Sequence, residues 1–462
     1  MRTKSILPLG LLLLCAGCTL APTYTRPASP VPGTWPEGAA KPEAPSAADL
    51  PWREFFTDPR LQAVIQLALD NNRDLRISTL NVEKAQAAYR IQRSALFPDA
   101  GVMASGEKYR KPEKMDSDGK ASIVETDSVN AGILSWEIDF FGRLRSLKDQ
   151  ALNQYLATDQ ARAAARISLV SAVAQGYLLH AADSENLRLA QATFDAQKAY
   201  HELIGKSRDL GVASDLELRQ AQSQMEAARA DVARFRGLVL QDQHALDLLV
   251  GTRVPGDLLP ESLDAAGGLK EVSAGLPSEV LLRRPDILMT EYQLKAANAN
   301  IGAARAAFFP NVTLTAGAGT MAPGLSSLFG SGTRTWSFAP KIVAPIFTGG
   351  SLKAGLKVAQ LERDIAVAQY EKAIQTAFQE VGDGLVQRTS LTERLDAQGT
   401  LVEALDASYH LSDLRYKEGL DGYLGVLVAQ RSLYAAQQGL VATRLAFRIN
   451  QVTLYKALGG RL

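Results

Sequence analysis

The sequence predicts a mixed α and β chain. Long antiparallel, coiled-coil-like helices are joined to four amphipathic strands, and the whole is built from two copies of one unit. Three observations predict this. Residues 74–98 align with 286–310 at a constant offset of 212, and the match continues at offsets of 207 and 208 (Gly142/Gly349, Gly211/Gly419, Leu216/Leu424, Gln222/Gln430, Gly251/Gly459). No proline falls between Pro112 and Pro255 or after Pro345, so very long helices are permitted there. Four stretches beside these helices alternate apolar and polar residues with the period of a strand.

Composition narrows the function classes. The chain is 46% hydrophobic and 21% charged, which excludes a wholly disordered protein. A net charge of +1 without a basic tract gives no reason to expect nucleic acid. The two cysteines, Cys15 and Cys18, sit three apart at the start and cannot form a disulfide scaffold.

The elements follow in order. Arg2 and Lys4 precede an apolar run, Ile6 to Leu14, that is far shorter than the roughly 20 residues a bilayer span needs. Ala16 and Gly17 then lead to Cys18, which resembles the bacterial lipobox, where cleavage precedes a cysteine that carries lipid. Residues 1–17 are therefore read as a lipoprotein signal peptide. The rival reading, a redox or metal CxxC, is weakened because the pair lies inside a cleavable apolar segment. Residues 18–60 are read as a lipid-anchored N-terminal tether; Ala21 to Pro51, rich in Pro, Ala, Ser and Gly, reads as extended. Residues 61–251 form the first repeat, 252–278 a linker, and 279–462 the second repeat. Helices are expected at 61–96, 143–209, 214–250, 279–307, 350–417 and 422–458. At 1.5 Å per residue, 143–209 would extend about 100 Å. An ordinary helical bundle is the alternative, with typically far shorter helices.

Strands are expected at 98–110, 124–141, 310–322 and 334–347, beginning where Phe97-Pro98 and Phe309-Pro310 end helices. Each is near or above the roughly 9–11 residues of a tilted bilayer-crossing strand. Pattern alone leaves a small soluble sheet open. Four strands with an apolar outer face cannot close a barrel, so strands that enter lipid must be pooled by several chains.

A set of motifs now adds to this reading. They are Arg283-Arg284-Pro285-Asp286-Ile287, Ala296-Ala297-Asn298-Ala299, Ala303 through Pro310, Asp139-Phe140-Phe141-Gly142-Arg143-Leu144-Arg145, Gly211 to Gln222, Tyr416 to Arg431, and Tyr455 to Gly460. In this order, doubled and behind a lipobox, the chain resembles the TolC-like outer-membrane factor family, specifically its lipidated OprM-like drug-efflux branch. The resemblance covers nearly the whole chain. It implies a homotrimer whose transmembrane strands, four per chain, share one β-barrel in the outer membrane of a Gram-negative bacterium, with a helical tunnel in the periplasm and a mixed equatorial region that starts within the tether 18–60, at 36–60, and takes in 252–278 as an equatorial linker. It implies two further partners, a periplasmic adaptor protein and an inner-membrane pump of the resistance-nodulation-division type. It also implies diacylglycerol and N-palmitate on Cys18, and Thr19 lacks the aspartate that would retain a lipoprotein at the inner membrane. The expected function is an exit duct for drugs or other small toxic compounds. The alternatives are a duct for secreted polypeptides or metal ions, and a periplasmic structural lipoprotein made of long helices.

Catalytic signals are not found. His180, His201, His244 and His410 are scattered without metal-ligand spacing and read as packing or solvent histidines. Gly317 to Ala322 fits a loose GxGxxA pattern but precedes Pro323-Gly324 rather than a helix. Neither an enzyme nor a metal or other cofactor is expected.

Attention therefore falls on the two turns between the long helices. Glycine suits a helix C-terminus, and Ser214 is placed to cap the next helix. The resemblance makes these turns a periplasmic tip where the adaptor docks, through Gly211, Val212, Gly419 and Leu420. Gly419 is expected to sit where only a close backbone approach fits. The resemblance also carries a periplasmic gate onto Tyr416, Asp421, Leu424 and Arg431. Val428 stands where the family commonly has an acidic ring, so it is read as an added apolar constriction, with ordinary helix packing as the alternative for Leu424 and Val428. Acceptors for Arg431 are sought on neighbouring chains, with Asp215, Glu217 or Asp421 as candidates.

Overall fold

The structure, a computed structural model, describes residues 19–35, 49–272 and 281–461. Cys18, the expected lipid site, lies outside the described residues, as does part of the linker 252–278. The elements are α1 (Trp52–Phe55), α2 (Pro59–Asn71), α3 (Arg73–Ser94), β1 (Asp99–Lys111), β2 (Ser122–Glu137), α4 (Arg143–Asp209), α5 (Asp215–Val250), α6 (Pro285–Ala306), β3 (Asn311–Ala322), β4 (Arg334–Val343), α7 (Ser351–Lys417) and α8 (Tyr423–Ala457). They fall into two compact units. One comprises Met1–Ala28, Asn81–Asp159 and Met289–Tyr370; the other comprises Ser29–Leu80, Gln160–Leu288 and Glu371–Leu462.

The duplication is visible in the backbone. α4 and α7 each have 67 residues, while α5 has 36 and α8 has 35. The glycine pairs that mark the repeat adopt the same left-handed conformation in both copies: φ is 76° and 59° at Gly142/Gly349, 75° and 68° at Gly211/Gly419, and 79° and 75° at Gly251/Gly459.

The first unit holds one antiparallel sheet in the order β1-β2-β3-β4. Its register sorts side chains by face. Ala100, Ile133, Ala316 and Phe338 lie opposite one another in one row, and Val102, Ala131, Ala318 and Trp336 in another. The rows between them read Gly101, Gly132, Gly317, Ser337 and Met103, Asn130, Gly319, Thr335. One face is thus apolar, and the other is made mostly of glycine and small polar residues, the alternation of a strand that has lipid on one side. Val102, Trp336, Phe338 and Ile342 are exposed on the apolar face. β1 and β4 each pair on one side only among the described residues.

The second unit has a packed core. Phe55 stacks on Tyr455 with ring centroids 4.1 Å apart, and Phe56 meets Phe55 edge-on at 4.8 Å. The Tyr455 hydroxyl donates to the Leu50 carbonyl, and the Tyr177 hydroxyl to Asp58 Oδ2 at 2.8 Å. Phe56 bridges Leu269, and Thr57 Oγ1 donates to the Gly268 carbonyl at 2.7 Å. Residues on either side of the first repeat are therefore knitted together.

Four sequence expectations are corrected. The single helix 61–96 is two, because Asn72 adopts an extended backbone with ψ 131°. Its Oδ1 accepts from the Leu75 amide at 2.7 Å, capping α3, while its Nδ2 donates to the Leu249 carbonyl at 2.8 Å. β2 ends at Glu137 rather than 141, because Asp139 Oδ2 accepts from the Arg145 amide at 2.9 Å and turns the chain into α4. β4 ends at Val343 rather than 347, shortly before Pro345, which has no amide to donate to a ladder. Residues 19–28 are no free tether: they pack on α6, where Arg26 forms a 2.8 Å ion pair with the buried Glu291.

Candidate functional site

The two turns between long helices share one construction. α4 ends in a Schellman motif: the Gly211 amide donates to the Arg208 carbonyl and the Val212 amide to the Ser207 carbonyl, both at 2.9 Å. α7 ends in the same way, with Gly419 donating to Tyr416 and Leu420 to Arg415, again both at 2.9 Å. The positive φ demands glycine at both positions. The expected close approach at Gly419 is not found: an added Cβ would meet nothing within 4 Å at either glycine. The motif throws the next residue outward, so Val212 is 81% exposed and Leu420 is 65% exposed.

Beyond the first turn, Ser214 and Glu217 form a complete capping box at the start of α5. Their hydrogen bonds, the Ser214 amide first, hold the Glu217 carboxyl below its ordinary range. Beyond the second, Asp421 Oδ2 lies 2.5 Å from Arg415 Nε. That hydrogen bond and the Arg415 charge hold the Asp421 carboxyl below its usual value. Arg208 spans the first turn in a comparable way, reaching Asp209 at 2.7 Å and Asp215 at 3.4 Å. Asp215, Glu217 and Asp421, the acceptors sought for Arg431, are thus all engaged within the chain.

Tyr416 belongs to an aromatic cluster. Tyr200 of α4 stacks on Tyr423 of α8 at 3.5 Å between centroids, and Tyr416 meets Tyr423 edge-on at 5.1 Å. Burial raises the hydroxyl pKa of both Tyr200 and Tyr423 well above the ordinary tyrosine range. Tyr200, Tyr423 and Arg415 were missed by the sequence reading. The signal available was the arginine in each helix's last turn followed by an aspartate beyond the glycine.

The face of α8 is sorted cleanly. Val426, Leu427, Ala429 and Leu433 are buried, whereas Leu424 is 65% exposed and Val428 is 57% exposed. Arg431 is exposed as well. Gln430 is held by the buried Gln197 of α4 at 2.7 Å, and Tyr434 donates to Asp231 of α5 at 3.1 Å. These ties orient α8 so that Leu424, Val428 and Arg431, at spacings of four and three, form one outward stripe.

Among the described residues no group of histidine, cysteine, aspartate or glutamate could hold a metal ion. His180 is buried beside Ser184, and burial lowers its pKa. No described helix is long and apolar enough to cross a membrane.

Comparison with known proteins fits this architecture. The family model described as outer membrane efflux protein matches residues 64–252 and again 276–460, one match per repeat. The chain is 47% identical over 464 residues to the toluene efflux pump outer membrane protein TtgC of Pseudomonas putida, covering 99% of this chain and 96% of that one. Among solved structures, a membrane protein from Pseudomonas aeruginosa matches with a TM-score of 0.91 at 38% identity, over 96% of this chain and 98% of that one. The open state of the MtrE outer membrane channel of Neisseria gonorrhoeae matches with a TM-score of 0.88 at 38% identity, over the same shares.

Proposed function

The chain belongs to the outer membrane efflux protein family, and from that premise we propose how it works as the outer-membrane channel of a Gram-negative efflux system. Three copies form a homotrimer and pool their sheets, β4 of one copy pairing with β1 of the next, into a barrel of twelve strands. The long helices continue the conduit into the periplasm. The duct conducts and does not catalyse. The observation that carries this reading is the sheet itself: an apolar face, a small-residue face and two edges that, among the described residues, pair on one side only. Such edges invite pairing with another chain, and only a closed sheet satisfies its backbone within lipid.

Cys18 carries diacylglycerol and N-palmitate. The tip residues Gly211, Val212, Gly419 and Leu420 receive a periplasmic adaptor, and the stripe Leu424, Val428 and Arg431, with Tyr416 and Asp421 beside it, closes the periplasmic end. The inner-membrane partner is a pump of the resistance-nodulation-division type. The cargo is small and toxic, in keeping with the toluene in a relative's name. Purified protein in planar bilayers is expected to give discrete, long-lived conductance steps, with one conducting unit per three chains. A protein that is trimeric yet never conducts, with or without an adaptor, would favour a structural lipoprotein instead.

A further inference from the structure

Residues Leu20 to Arg26 run antiparallel along one stripe of α6, and each step is fixed by a different α6 residue. The Arg305 guanidinium donates to the Leu20 carbonyl at 3.1 Å, and Asn298 Nδ2 donates to the Pro22 carbonyl at 2.7 Å. Between them Gly302 makes room: an added Cβ would lie 2.8 Å from the Ala21 amide nitrogen and 2.8 Å from its Cβ. At the far end Glu291, 2% exposed, accepts from the Tyr24 hydroxyl at 3.2 Å and from Arg26 Nε and Nη2 at 3.1 and 2.8 Å. Lys295 Nζ completes the cluster 2.9 Å from Glu291. Burial alone would raise the Glu291 carboxyl's pKa, but these donors hold it below its ordinary value.

Positions 291, 295, 298, 302 and 305 recur every three or four residues, so they line one helix face. The lengths also agree. Leu20 to Arg26, fully extended, covers about 20 Å, and α6 rises about 21 Å from Glu291 to Arg305. A strap of this length has one register on this face. Thr19, which follows Cys18 directly, is held with its Oγ1 3.5 Å from Ser146 Oγ. Arg305 is the penultimate residue of α6, and β3 begins at Asn311.

We propose that the α6 stripe Glu291–Lys295–Asn298–Gly302–Arg305 is an intramolecular docking site that registers the acylated N-terminus, delivering the lipid of Cys18 to the bilayer at the level where the sheet enters it. Glu291 is the positioning residue, because it bonds the two side chains that stop the strap from sliding. The proposal rests on lipidation of Cys18, and its test keeps the two apart.

The test uses the full-length chain expressed with its signal peptide, labelled metabolically with palmitate. A nitroxide on Thr23→Cys, an exposed strap position, reports strap mobility. The expected spectrum is broad and immobilised, and sharpens in Glu291→Ala. Inserting Gly-Ser between Pro22 and Thr23 shifts Tyr24 and Arg26 by about 7 Å relative to Glu291. This insertion is expected to sharpen the spectrum and lower the assembled, membrane-inserted trimer about tenfold, with palmitate labelling intact. The same insertion after Ala28 leaves the ladder untouched and is expected to stay within about twofold of the parent. A mobile label in the parent, or equal effects of the two insertions, overturns the docking site. Loss of palmitate labelling from the parent while its label stays immobile overturns the lipid reading alone, and with it the registration of an anchor.

Discussion

Arg284 shows what a single residue does in this fold. It is 6% exposed, and four of the five guanidinium N–H donors have acceptors: Nε and Nη2 to Asp286 at 3.0 and 2.8 Å, Nη2 to Glu380 at 2.7 Å, and Nη1 to the Ala457 carbonyl at 2.7 Å. It therefore ties the start of α6 to α7 and to the end of α8. The Asp286 and Glu380 side chains are 43% and 47% exposed, so water takes up part of their charge when the guanidinium is removed, and Arg284→Ala is expected to cost about 1.5–3 kcal/mol, chiefly through the buried bond to the Ala457 carbonyl. Its neighbour Arg283 is exposed and, among the described residues, reaches Asp49 at 3.4 Å; Arg283→Ala should stay within about 0.5 kcal/mol. Equal losses of thermal stability in the two variants would refute this division of labour. Burial alone would raise the Asp286 carboxyl's pKa, but the Arg284 bonds and charge bring it below 3.8. Its contribution is thus complete above pH 3.8 and is lost as pH falls below that. An acid unfolding titration of Asp286→Asn should therefore lack part of the parent's loss of stability below that pH. The Arg-Arg-Pro-Asp-Ile run was legible as a family motif. Which arginine is buried was not, because two adjacent arginines look alike until α7 and α8 arrive.

At the scale of elements, the sequence was most legible where proline and glycine speak. Proline-free intervals located the long helices, and the strand rows followed from alternation. What escaped were boundaries decided by partners far away in sequence. Asn72 breaks a helix because Leu249 offers it a carbonyl, and residues 19–28 pack because α6 offers a stripe; neither acceptor is visible locally. A turn glycine and a helix glycine allow a comparison with opposite signs. Gly419 has φ 68° and an unobstructed Cβ position, so Gly419→Ala is penalised by conformation alone, about 1–2 kcal/mol. Gly399 lies inside α7, also with open space around a Cβ, so Gly399→Ala should stabilise its helix by about 0.5–1 kcal/mol. Amide hydrogen exchange around the two sites reads both changes. Unchanged or slower exchange around the turn in Gly419→Ala would overturn the conformational penalty, and faster exchange around the site of Gly399→Ala would mean that a neighbour crowds that face of α7.

For the whole molecule, the question is what closes the duct. The resemblance supplied Tyr416, Asp421, Leu424, Val428 and Arg431, and the chain sorts them into two kinds. Tyr416 and Asp421 are engaged within the chain, by Tyr423 and by Arg415. Leu424 and Val428 are exposed apolar residues on a helix whose other face is buried. Exposed apolar side chains pointing away from a packed core need a neighbour or a narrow, poorly wetted throat. In the proposed trimer, three leucines and three valines brought to the axis would form that throat. Three Arg431 guanidiniums one turn further on repel one another, and Asp215, Glu217 and Asp421 already have partners within their own chain. On this proposal the shut state is marginal, held by apolar contact against like-charge repulsion, and an adaptor at the tip would need only to spread α8 to open it. Leu424→Ala with Val428→Ala removes the contact and keeps the repulsion. Since both side chains lie outside the buried face, the double variant should fold and assemble like the parent. Its resting conductance in planar bilayers is expected to rise, whereas Arg431→Gln, which removes the repulsion, should lower it. If assembled trimers of the double variant conduct no better than the parent, closure resides elsewhere; if Arg431→Gln raises conductance, the arginines hold the throat shut through partners on neighbouring chains.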